Sequence, residues 1–334
     1  MKKLLIPLVI LAIVMMATSI AKRSKRQGWE GIVSRQPRAM SNQLYVEVSA
    51  LGNLDYFYDH RLGMQLAEGI LGVKTDYVGP AEYDIRAMIT AFEETLARKN
   101  LRGIVVVGFE PALAPIIDKA VDSGIPVVTV DADLPESQRV AFVGTGNYRA
   151  GYEGGIKLAS LTGRTGKVAL MTKVGQSNLE ERIRGYKSAL GQYNAIDIVQ
   201  IVDTQSDAIV AAQVATAVLR KYPDLAGLGC VEAAGGVGAA TAVREANLTG
   251  VVKIVAMDRG NDVLELIKEG TISATVVQQT ALMPFYAVQI LYQLNNQNIP
   301  ITSDNVKAGI SGVPWYIDTG VVIVDKSNYE YFVR

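Results

Sequence analysis

The chain has 334 residues, 49% of them hydrophobic, with one cysteine and one histidine. That length suits roughly two domains of about 150 residues, each large enough for its own core. Lys+Arg and Asp+Glu both number 33 and the net charge is zero, so no basic surface argues for nucleic acid. Cys230 and His60 stand alone, which leaves no intramolecular disulfide and no metal site of the His/Cys kind.

Lys2 and Lys3 precede the apolar run Leu4–Ile20, and Ser19-Ile20-Ala21 offers small residues where a signal peptidase reads. Residues 1–26 are therefore expected to be a signal peptide that exports the protein to the periplasm or another extracytoplasmic space. Lys22, Arg23, Lys25 and Arg26 follow at once. Positive flanks resist translocation, so an uncleaved membrane anchor through residues 4–20 is the alternative. Residues 27–40 read as a linker.

From Ser41 strands and helices alternate. Leu44–Val48 predicts a strand, followed by a helix carrying Tyr58, Leu62, Leu66 and Ile70 four residues apart, with His60 on its surface. Thr75–Val78 is a weaker strand. The next helix sets Ile85, Met88, Ile89, Phe92 and Leu96 on one face, then come strand Gly103–Phe109, helix Pro111–Val121, and strands Val127–Val130 and Val140–Val143. Gly144–Asn147 passes directly into a helix starting near Tyr148, without a Ser/Pro/Gly-rich linker.

The second run has strands Val168–Met171, Ile196–Val202, Ala226–Cys230, Val252–Met257 and Ile272–Val277. Between them lie helices Asn178–Tyr193, Asp207–Lys221, Gly236–Ala246 and Asp262–Lys268. A helix Pro284–Leu294 and a strand Gly320–Val324 remain to attach. Two successive arrays of this kind predict an α/β fold of two lobes, each a parallel sheet flanked by helices. Cys230 reads as a buried small hydrophobe, and Trp315 and Tyr316 as core residues.

Ligands of open α/β sheets bind at the carboxyl ends of the strands. Asp131 and Asp258 each end an apolar strand there, and Asp133 is a natural ion-pair partner for Arg139. An ionised carboxylate accepts two vicinal hydroxyls of a polyol, and an aromatic ring covers the C–H face of a sugar. Asp131, Asp258, Asn53, Gln278 and Tyr56 or Phe57 supply that combination.

Five segments carry a resemblance. GIPVVTVDADLPESQRVAFVGTGNYRAG, NLEERIRGY at Asn178–Tyr186, VKIVAMD ending at Asp258, TISATVVQQ through Gln279 and IDTGVVIVDKSN resemble, in order, the exported sugar-binding proteins of ABC transporters. These are of the ribose/galactose type, with a fold shared with the effector domains of LacI-like repressors. A repressor would need an N-terminal helix-turn-helix where this chain has its apolar leader.

The resemblance implies the periplasmic binding protein type I fold with a three-crossing hinge. It places 41–145 plus about 280–308 in the N-terminal lobe, and 146–279 plus about 309–334 in the C-terminal lobe. It implies ligand contacts at Ser49, Asn53, Tyr56, Phe57, Asp131, Asn178, Arg182, Glu232, Asp258 and Gln278. It also implies no catalysis, cofactor or metal, and an ABC permease as partner. Three positions depart from the ribose-type pattern: Ala132 and Glu180 stand where arginines are common, and Gly146 where an Asp is common.

The function so implied is capture of a monosaccharide, polyol or similar small molecule in the interlobe cleft and its delivery, hinge-closed, to an importer. The alternative is a sensor of an autoinducer, nucleoside or polyol that presents it to a chemoreceptor or sensor kinase. An NAD-dependent enzyme is the rival class: Gly236-Val237-Gly238 followed by Asp258 imitates a dinucleotide fingerprint, but Thr241 stands where the third glycine belongs.

Overall fold

The computed structural model describes residues 41–52, 55–296 and 299–333. The expected leader, anchor and linker, and Asn53, lie outside the described residues. Among the described residues no helix is long and apolar enough to cross a membrane.

The first lobe opens with β1 (Leu44–Val48), α1 (Tyr58–Leu71) and β2 (Lys74–Val78). Next come α2 (Ile85–Leu96), β3 (Leu101–Val107), α3 (Ala114–Asp122), β4 (Val127–Val130) and β5 (Ala141–Gly144). The second lobe contains α4 (Asn147–Leu161), β6 (Gly166–Thr172), α5 (Ser177–Leu190), β7 (Ile196–Asp203) and α6 (Ala208–Lys221). It continues through β8 (Leu225–Cys230), α7 (Ala233–Glu245), β9 (Lys253–Met257), α8 (Asn261–Glu269) and β10 (Ala274–Gln278). The chain then returns to the first lobe with α9 (Leu282–Asn296) and β11 (Tyr316–Asp318), and ends in the second with β12 (Val321–Asp325).

The strand orders are β11-β5-β4-β3-β1-β2 and β12-β10-β9-β8-β6-β7. All pairings are parallel except β10 with β12. Substituting β6–β10 for β1–β5 and β12 for β11 turns one order into the other, so the lobes repeat one strand order and differ only in the direction of the edge strand. Apolar helix faces cover both sheets, which is why β4 (VVTV) and β9 (KIVAM) are buried on successive residues instead of alternating. Asp84 and Asp207 start α2 and α6 as N-caps, each accepting from two backbone N–H groups of the first turn.

The chain crosses between lobes at Gly144–Asn147, Gln278–Leu282 and Asp318–Val321. The crossings bond to one another. Thr319 N–H donates to Gly144 O (2.8 Å), Gln279 Nε2 to Thr319 O (2.6 Å), and Gly146 N–H to Asp318 Oδ1 (2.7 Å).

Several sequence expectations change. β11 is too short for periodicity to reveal, and its pairing with β5 puts residues 316–318 in the first sheet. The last boundary therefore falls after Asp318, later than the expected 309. Trp315 is 71% exposed, not a core residue. The stripe Tyr58, Leu62, Leu66 and Ile70 faces outward, while α1 buries Asp59, His60, Gly63, Met64 and Ala67. His60 is thus a core residue, its Nδ1 2.5 Å from Glu47 Oε1.

Close approach of α9 decides this orientation. A Cβ on Gly63 would sit 2.1 Å from Ala281 O and 2.8 Å from Pro284 Cγ, so only a glycine lets the two meet. Gly63→Ala is expected to destabilise the protein by about 1–3 kcal/mol, because backbone must move to admit the methyl group. Denaturant unfolding with an unchanged midpoint would contradict this packing.

Candidate ligand-binding site

Strand ends of the two sheets meet across the crevice beside the crossings. Asp131 follows β4 and Asp258 follows β9, equivalent strands of the repeated topology. Both adopt left-handed backbone conformations, φ 65° and 67°, which Asp tolerates better than most residues. Each N–H continues the ladder, Asp131 to Val143 O (3.2 Å) and Asp258 to Val276 O (2.8 Å). The ladder fixes each backbone while the turn swings the carboxylate off the sheet.

On the first-lobe side, Tyr56 Oη donates to Asp131 Oδ1 at 2.5 Å. Burial, then the charges of Asp131 and Asp258, push the Tyr56 phenol well above its ordinary value, so it remains a donor. Phe57 is buried in the lobe core, edge-on to Tyr56 and to His60 with ring centroids 5.1 and 5.0 Å apart. Of the two aromatic candidates, Tyr56 is the one joined to a carboxylate. Buried Ser49 accepts a hydrogen bond from Tyr77 Oη.

On the second-lobe side, Arg182 is buried and divides its guanidinium among three acceptors. Nε donates to Asn147 Oδ1 (2.8 Å), Nη1 to Val231 O (3.0 Å) and Nη2 to Gln278 Oε1 (3.2 Å). Gln278 in turn donates through Nε2 to Asp258 Oδ1 (2.9 Å). Arg182, Gln278 and Asp258 therefore form one chain. Glu232 caps α7, accepting from Ala234 N–H (2.8 Å) and Thr204 Oγ1 (2.7 Å). Asn178 is half-buried one turn before Arg182.

Burial pushes the Asp258 carboxyl above its ordinary value; Arg182 and the Gln278 hydrogen bond pull it down, and the charges of Asp131 and Glu232 push it up. The charge of Asp131 reaches Asp258, so a carboxylate of each lobe borders the same space.

The chain matches the periplasmic binding protein domain over residues 46–298. It belongs to that family. The D-allose-binding periplasmic protein of Escherichia coli K12 is 29% identical over 237 residues, covering 68% of this chain and 76% of the relative. Among solved structures, AraP, an arabinose-binding protein from Geobacillus stearothermophilus, superposes with a TM-score of 0.83 at 36% identity, covering 88% of this chain and 100% of that one. An ABC transporter solute-binding protein from Burkholderia graminis C4D1M in complex with D-arabinose gives a TM-score of 0.72 at 28% identity, covering 90% and 100%.

One departure from the ribose-type pattern, Gly146, now has a structural setting. A Cβ on Gly146 would lie 2.3 Å from Asp318 Oδ2, so a carboxylate from the third crossing fills the space a side chain there would need. Asp133 takes the part expected of it, held by Arg139 Nε (2.5 Å) and Nη2 (2.7 Å) and by Thr129 Oγ1 (2.8 Å). It fixes the loop behind Asp131.

Sequence reasoning missed Asn147, Asp59 and Arg259. Asn147 looks like any helix start, but it orients Arg182. Asp59 and Arg259 each adjoin something already singled out, His60 and Asp258, yet no local pattern pairs residues 200 positions apart.

A ligand whose hydroxyls donate to the ionised Asp258 carboxylate would draw the proton from it. Affinity should then increase as pH rises through the raised Asp258 pKa and weaken as pH falls through it. Calorimetric titrations from pH 8 downward check the sign; affinity that increases on acidification would contradict it.

Proposed function

We propose that this periplasmic binding protein captures an uncharged monosaccharide or polyol between its lobes, outside the cytoplasm, and presents it to the permease of an ABC importer. Binding involves no chemical step. The observation that carries this reading is the pair of equivalent carboxylates, Asp131 and Asp258, one held at a strand end of each lobe. Tyr56 and the Arg182–Gln278 chain set their orientation. Relatives described as allose- and arabinose-binding support the ligand class.

Arg182 is already engaged by three protein acceptors, and Arg259 is paired with Asp59. Both observations favour a neutral sugar over a sugar acid or phosphate, whose charge would meet two carboxylates and no unpaired guanidinium of these two. A ligand touching both lobes favours the closed form only through its greater affinity for that form.

A thermal-shift screen over pentoses, hexoses, polyols, nucleosides and sugar acids tests the ligand class. At a concentration about 100 times Kd, a bound sugar adds about 2.7 kcal/mol of stability. A shift confined to nucleosides or sugar acids would refute it.

A further inference from the structure

Asp59 lies in the first turn of α1, in the first lobe; Arg259 follows β9, in the second. Arg259 Nη2 donates to Asp59 Oδ2 at 2.5 Å across the crevice, and the pair is largely shielded from water, with side chains 24% and 10% exposed. Thr280 Oγ1, on the second crossing, donates to the same Oδ2 at 2.8 Å. Arg259 Nη1 donates to Phe332 O at 3.1 Å, and the Phe332 side chain packs on the second-lobe core. The guanidinium is thus aimed from its own lobe before it meets Asp59.

We propose that Asp59 and Arg259 form an interlobe latch that stabilises the closed crevice without ligand and so scales the affinity of the sugar site. Their positions couple them to the site. Arg259 is the residue after Asp258, and Asp59 lies three residues after Tyr56, which holds Asp131. When the latch forms, Asp258 comes opposite Asp131 and Tyr56; when it breaks, the carboxylates separate. The latch contributes interaction energy to one state only, which is what biasing a two-state hinge requires. Its shielding keeps the pair stronger than an exposed surface pair.

The effect on affinity rests on the sugar-binding reading above, whereas the effect on the unliganded hinge does not. The experiment is therefore small-angle scattering of unliganded full-length wild type, Arg259→Gln, Asp59→Asn and the double variant, together with calorimetric titration of two different sugars found by the screen. Unliganded variants should scatter as more expanded than wild type, and all should converge at saturating sugar. Each single substitution should weaken both sugars by the same factor, on the order of tenfold, with the double variant no worse than the worse single.

Identical unliganded scattering for all four proteins overturns the latch, and so do losses that add in the double variant. A loss that differs between the sugars also overturns it, by making Arg259 a ligand contact. If no sugar binds wild type, the sugar-binding reading fails while scattering still decides the latch. Asp59→Asn retains an oxygen for Thr280, so it carries the test should Arg259→Gln not fold.

Discussion

Asp131→Asn and Asp258→Asn should each weaken sugar binding by roughly 10²–10³-fold while leaving the fold intact. Hydrogen bonds to a charged acceptor are worth about 1.5–3 kcal/mol each, so a carboxylate gripping two hydroxyls contributes about 3–6 kcal/mol, of which the amide oxygen of asparagine retains part, and each 1.4 kcal/mol is tenfold. Asparagine isolates the charge better than alanine does. Both backbones are left-handed, a conformation asparagine accepts and alanine resists, so alanine would mix strain with lost contacts. Tyr56 Oη can still donate to an amide oxygen at 131, whereas at 258 the amide must also satisfy Gln278. Calorimetry reads the affinities, and a folding midpoint within a few degrees of wild type separates a lost contact from a lost fold. Near-wild-type affinity in both variants would remove the carboxylates from the site.

His60→Leu should cost about 3–5 kcal/mol of stability, because it leaves Glu47 buried and unpaired in the first-lobe core. Both side chains are 0% exposed and meet at 2.5 Å. Among the described residues, Glu47 Oε2 and His60 Nε2 have no hydrogen-bond partner, so the pair is under-satisfied even when intact. Removing both, as Glu47→Leu with His60→Leu, should cost much less than removing one.

Burial pulls the His60 pKa down, but the charge and hydrogen bond of Glu47 outweigh it and leave it raised. A raised histidine pKa contributes stability fully below its ordinary value near 6.5, and that contribution is lost as pH rises through the folded value. The wild-type unfolding midpoint should therefore decline from neutral toward alkaline pH, and the His60→Leu protein should lack this component. Equal midpoints for single and double variants would contradict the pairing.

The alternation of strands and helices, the two-lobe architecture and the crossing at Gly144–Asn147 were legible because buried parallel strands are written as apolar β-branched runs ending in Gly, Asp or Asn. Asp131 and Asp258 were legible for the same reason, as charges where such runs stop. Less visible was anything set by packing between distant segments. The i, i+4 stripe from Tyr58 to Ile70 marked a helix with His60 on its surface, yet Gly63 against α9 and the Glu47–His60 pair turn that side of α1 into the core. Among the aromatic candidates, Tyr56 and Phe57 could not be separated until the chain placed one beside Asp131 and the other in the core. Glu232, expected as a ligand contact from the resemblance, also caps α7, a part no strand pattern announces. β11 and the Asp59–Arg259 contact depend on residues about 170–200 positions away, beyond any local pattern.

In the proposed complex a neutral sugar is gripped by carboxylates from both lobes at once. This grip is tested most directly by calorimetric titration of wild type, Asp131→Asn and Asp258→Asn with the sugar that gives the largest thermal shift. Saturable one-to-one binding by wild type, weakened at least a hundredfold by either substitution alone, is the expected result. Saturable binding that survives either substitution unchanged, or no binding of any neutral sugar, would contradict it.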